Sequence, residues 1–80
     1  MSYAKVKEVF IVGYRNKVRG YRNMLGLTQQ QLGEKLGMTK QTYYNKETEK
    51  TAFSDSEKIA FKKLLIPIFP DITIEDIFFN

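Results

Sequence analysis

Residues Gln29 to Tyr44 read QQQLGEKLGMTKQTYY, and this stretch decides the fold. Thr28 stands just before it with Gln31 three residues on, the spacing at which each side chain satisfies the other residue's orphan backbone N–H at a helix start. Leu32 and Leu36 follow at helical spacing, and Gly37 supplies the left-handed residue that ends the helix. Thr39 then stands where the cap of a second helix is expected. Two capped helices joined by so tight a glycine turn cross steeply. Gly33 falls where they approach most closely, and a side chain larger than alanine there would push them apart. Leu32, Leu36, Met38 and Tyr43 then point inward, which leaves Lys40, Gln41, Tyr44 and Asn45 on the outer face of the second helix. Amine, amide and phenol groups of this kind donate to and accept from base edges in a major groove wide enough for one helix.

The same punctuation continues on both sides. Ser54 and Glu57 repeat the capping-box spacing, and Thr73 with Asp76 is a weaker version of it. Gly26, Pro67 and Pro70 mark helix ends. Val18, Tyr21 and Leu25 form one apolar stripe, and Ile59, Ala60, Phe61 and Leu64 supply another. Helices are therefore expected at about 14–25, 28–36, 39–47, 54–65 and 74–79, with boundaries good to about two to four residues. The expected class is all-α, a compact five-helix domain over residues 13–80 preceded by an N-terminal extension, residues 1–12. In that extension Val6, Val9, Phe10 and Gly13 fit a helical pattern, whereas Val9 to Val12 is continuous and β-rich. An added helical turn and a strand, paired across a dimer, both stay open.

Charge and composition narrow the chemistry. The 80 residues carry a net charge of +4, unevenly spread. Residues 1–50 hold ten Lys and Arg against four Glu, and residues 51–80 hold three Lys against five acids. A basic N-terminal part suits a polyanion such as nucleic acid, or an anionic lipid surface. With no cysteine and no histidine, disulfides, thiolate nucleophiles and the usual zinc sites are excluded. Glu75 and Asp76 are adjacent and so point in different directions, and no glycine-rich phosphate loop is present. No enzymatic activity, metal, cofactor or small-molecule ligand is expected. The longest apolar stretches, Val9 to Val12 and Leu64 to Phe69, fall far short of the roughly 18–20 residues of a membrane span, and no secretory signal is evident. A soluble, cytoplasmic protein is the expectation.

Val18 through Glu47, with RNMLGLTQQQLGEKLGMTKQTYYNKE at its centre, resembles the lambda-repressor-like helix-turn-helix domains of Cro and the XRE transcriptional regulators. Arg22, the Gly26-Leu27-Thr28-Gln29 stretch, Gly33, Gly37, the Thr39-Lys40-Gln41-Thr42 helix start and Glu47 all fall in register, and the tail, with helix 4 from Ser54 and the Ile72 to Phe79 ending, looks like the closing helices of short phage-type and Gram-positive members. The resemblance implies that Gln29 clamps a phosphate, where a helix N-terminus also offers backbone donors. It implies that Lys40, Gln41 and Asn45 read bases, flanked by Thr42 and Tyr44. By pairing geometry Lys40 would prefer guanine, and Gln41 or Asn45 adenine. Thr39, Thr48 and Lys50 are the further expected phosphate contacts. Arg22 and Glu47 match a structural ion pair tying helix 1 to the end of helix 3.

Two positions depart from the pattern. Lys46 stands where the family is apolar, so either its stem is buried and its amine snorkels outward or helix 3 is slightly rotated. Thr48-Glu49 replaces the usual Asn-Gly turn, and the acid would oppose a phosphate nearby. Tyr43, Phe53, Phe61, Phe69, Phe78 and Phe79 lie on apolar stripes without interleaved basic residues, so they read as core or dimer surface rather than as a stacking platform for single strands.

The function expected on these grounds is that of a Cro-like or short repressor that reads double-stranded DNA. A homodimer on a pseudopalindromic operator is expected, with Ile72 to Phe79 and the N-terminal run as candidate dimer surfaces. The alternative is a protein-interaction module on the same fold, antitoxin-like or anti-repressor. A membrane-surface role would need a basic amphipathic helix, and Lys17, Arg19 and Arg22 do not make one with a broad apolar face.

Overall fold

The computed structural model describes residues 16–79; the expected extension, residues 1–12, and the start of the first expected helix lie outside the described residues. Among the described residues five helices follow in order: α1 Lys17–Met24, α2 Gln29–Lys35, α3 Lys40–Glu47, α4 Asp55–Leu65 and α5 Ile74–Phe78. No strand occurs among the described residues. No helix among them is long and apolar enough to cross a membrane.

The caps form where the sequence places them. Thr28 with Gln31, Ser54 with Glu57 and Thr73 with Asp76 all close reciprocal capping boxes. Thr39 accepts from the Thr42 backbone N–H without a returning partner. Each satisfied cap contributes about 1 kcal/mol, which matters for helices of only one to three turns.

The first three helices end in one motif, in which two amides just past the helix return to its last carbonyls. Gly26 N–H donates to Asn23 and Leu27 N–H to Arg22; Gly37 N–H donates to Glu34 and Met38 N–H to Gly33. After α3, Glu49 N–H donates to Lys46 and Lys50 N–H to Asn45. The residue at the bend must take a positive φ, and it is +72° at Gly26, +78° at Gly37 and +70° at Glu49.

The core is built from Leu32, Tyr43, Phe53, Phe61, Leu65, Ile72 and Ile77. Phe53, in the loop between α3 and α4, holds it together: its ring lies 6.1 Å from Tyr43 of α3, 6.4 Å from Phe61 of α4 and 5.2 Å from Phe78 of α5. Tilted and edge-to-face pairs of this kind add about 0.5–1.5 kcal/mol each beyond the area they bury. Tyr21 and Phe69 make a further edge contact at 6.0 Å that seats α1 on the segment after α4.

Two expectations need correction. Ile59, placed on the apolar stripe of α4, is 47% exposed; the inward positions of that helix are Phe61 and Leu65. The Ile72 to Phe79 run does not offer a continuous outer surface, because Ile72 and Ile77 are buried in the chain's own core and Phe79 alone of its large apolar residues is exposed. Apolar residue type alone does not say which side of a short helix meets its neighbours.

Candidate nucleic-acid interface

Helices α2 and α3 pack closely because of Gly33. A Cβ built there would lie 3.2 Å from the Met38 carbonyl oxygen, 3.2 Å from Tyr43 Cβ and 3.3 Å from the Thr39 carbonyl oxygen. Leu32 and Tyr43 are fully buried on either side of that contact, with Leu36 and Met38 packed against them. Burying this side of α3 leaves Lys40, Gln41 and Tyr44 exposed and Asn45 half-buried. The spacing i, i+1, i+4, i+5 puts the four on one face.

The structure adds contacts within that face. Gln41 Nε2 donates to Asn45 Oδ1 at 3.2 Å, so the two amides form one unit. Thr42 is engaged through its hydroxyl, which accepts from Thr39 Oγ1 at 3.0 Å. Lys50 Nζ sits 5.5 Å from the centre of the Tyr44 ring, and Thr48 Oγ1 donates to the Tyr44 carbonyl at 2.7 Å. Thr39, Thr48 and Lys50 are all exposed. Beside the start of α3 a shallow groove of about 420 Å³ is lined by Arg22, Thr28, Gln29, Gln30 and Lys40. Gln29 and Lys40 thus share one rim, although they stand eleven positions apart in the chain.

Beneath this surface lies Glu47, 3% exposed. Arg22 meets it with Nε on Oε1 at 2.8 Å and Nη2 on Oε2 at 3.2 Å, while Arg22 Nη1 donates to the Leu27 carbonyl at 2.9 Å. Tyr43 OH donates to Oε1 at 2.6 Å and Gln29 Nε2 to Oε2 at 3.0 Å. Burial pushes the Glu47 carboxyl up, but the Arg22, Tyr43 and Gln29 donors outweigh it and leave the carboxyl below its ordinary range. The hydrogen bond to Glu47 raises Arg22 further, and burial followed by the same carboxylate raises the Tyr43 phenol.

Lys46 takes the first of its two expected courses, with a difference. Its side chain is 14% exposed, so the stem is largely buried, and the amine at its end is held by the protein: Nζ donates to Glu57 Oε1 at 2.8 Å and to the Ala52 carbonyl at 3.1 Å. Glu57 is also the capping-box residue of α4, so one carboxylate closes a helix start and fixes the loop after α3. The donors Tyr43 and Gln29 on Glu47, and the Glu57 acceptor for Lys46, were not read from the sequence. Tyr43 and Glu47 are four residues apart on one helix, a spacing that signals contact; Gln29 to Glu47 and Lys46 to Glu57 depend on how helices cross.

A helix-turn-helix family profile matches residues 18–57. The chain therefore belongs to the helix-turn-helix family, of the XRE type. Over 64 residues it is 42% identical to an uncharacterized HTH-type transcriptional regulator of Methanocaldococcus jannaschii, a match covering 80% of this chain and 89% of the relative. No solved structure matches it.

Proposed function

We propose that this protein is a sequence-specific regulator of transcription that binds double-stranded DNA through residues 13–80, acting as a Cro-like or short repressor with α3 in the major groove. The family and the regulator-named relative support the DNA-binding regulator in general. The finer reading is carried by one observation: α3 presents Lys40, Gln41, Tyr44 and Asn45 on a face turned away from the core described, beside the Gln29 rim. Lys40, Gln41 and Asn45 read bases, with Thr42 and Tyr44 flanking them, while Gln29, Thr39, Thr48 and Lys50 hold phosphates. Arg22 and Glu47 support the site from beneath.

One such helix reads only a few base pairs, so the protein binds as a two-fold dimer with half-sites about 34–36 Å apart. Met24 at 60% exposure, Ile66 at 39% and Ile68 at 49% are apolar side chains left for self-association or for another protein. The test is selection from random duplex DNA at about 150 mM salt, where bare charge contributes little. An enriched pseudopalindrome supports the reading, and its half-site spacing measures the dimer. Weak, salt-sensitive binding without enrichment transfers the proposal to a protein-interaction module on the same fold.

A further inference from the structure

The Glu47 carboxylate has about four lone-pair sites, and four donors occupy them: Arg22 Nε and Tyr43 OH on Oε1, Arg22 Nη2 and Gln29 Nε2 on Oε2. An ionised carboxylate only accepts, so the Gln29 group that faces it is the NH2, and Gln29 Oε1 is turned away. Arg22 and Tyr43 serve the fold: the first also holds the Leu27 carbonyl, and the second is fully buried. Arg22 is half-buried too and lines the groove with Thr28, Gln29, Gln30 and Lys40, but three hydrogen bonds inside the protein hold its guanidinium, whereas the half-buried Gln29 amide makes one. One N–H of that amide is spent on Glu47, and the other is left to donate.

We propose that Glu47 is a positioning residue for a DNA phosphate contact: it holds the Gln29 amide in one orientation, so that a phosphate oxygen in the groove meets a donor already in place. The inference rests on the DNA reading above. Its physical basis is entropy, since a glutamine that must be ordered on binding costs affinity, whereas one held beforehand does not. The bond also fixes the start of α2 against the end of α3, so the clamp and the proposed base-reading face keep one register.

The test is a double-mutant cycle in the full chain, on the duplex that the selection returns, with thermal midpoints recorded to confirm folding at the assay temperature. Gln29→Ala is expected to weaken binding about threefold to tenfold, and Glu47→Gln by a similar factor. If Glu47 acts through Gln29, the double variant is no weaker than Gln29→Ala alone. Multiplied losses in the double variant overturn the proposal, because Glu47 would then act through the fold. Normal binding by Gln29→Ala also overturns it, while leaving the DNA reading intact; absence of any duplex binding by the wild type removes that reading itself. Should Glu47→Gln not fold, the wild-type Gln29 side-chain amide in NMR decides. A single rotamer in the free protein, with one amide proton moving on DNA addition, is expected; averaged rotamers refute it.

Discussion

Gly37 and Glu49 occupy the same place in the same helix-ending motif, one on each side of α3, and they reach it at different cost. At Gly37 the +78° φ is free, because no Cβ is present. At Glu49 the +70° φ costs about 1–2 kcal/mol. The surroundings differ accordingly. On the N-terminal side α3 is placed by sterics, through Gly33 against the Met38 and Thr39 carbonyls. On the C-terminal side it is held by charge: Glu47 under Arg22, Tyr43 and Gln29, and Lys46 between Glu57 and the Ala52 carbonyl. Helix α3 is thus set by shape at one end and by ion pairs at the other. Only the second end should answer to pH.

Removing the central charge breaks the comparison most severely. Glu47→Ala leaves Arg22, its side chain 12% exposed, with no anion, and should cost about 3–4 kcal/mol in urea-denaturation stability. Next comes Gly33→Leu, which forces the α2–α3 contact apart at a cost of about 3 kcal/mol. Gly33→Ala should be nearly neutral by the same measurement. Contacts at 3.2–3.3 Å oppose a helix-propensity gain of about 1 kcal/mol.

Of the two ends of α3, acid should act on the charged one. Glu47 and Glu57 both ionise below their ordinary value of 4.5 in the folded chain, despite burial, because of donors from Arg22 and Lys46 respectively. A depressed folded pKa stabilises above the unfolded value and is lost as pH falls through the folded one. Urea midpoints should therefore hold steady at neutral pH and fall from about pH 5 downward, with a shallower fall in Glu47→Ala. Asp76, drawn down chiefly by the Thr73 backbone N–H, adds in the same direction. A profile that Glu47→Ala leaves unchanged would place the acid sensitivity elsewhere.

The smallest effect sharpens the comparison. Glu49→Gly makes the two bends alike and should raise stability by about 0.5–1 kcal/mol, the relief of a positive φ less the added freedom of the unfolded chain. It also removes an acid next to the proposed phosphate contacts Thr48 and Lys50, so duplex binding should tighten rather than weaken. Thermal melts and a binding titration on one sample check both.

Local rules carried the sequence reading. Caps at Thr28, Thr39, Ser54 and Thr73 and the bends at Gly26 and Gly37 depend on residues within about five positions of one another, so spacing alone determined where α2 to α5 begin and where α1 and α2 end. The glycine approach at Gly33 and the outer position of Lys40, Gln41 and Tyr44 were legible for the same reason. What tertiary structure decided was every partner brought in from another helix: Gln29 on Glu47, Glu57 on Lys46, Phe53 among three rings, and Ile72 and Ile77 taken into the core. Helical period gives the direction of a side chain about its own axis, but the atom it meets is set by the crossing of two helices, and that crossing exists only once the core has closed.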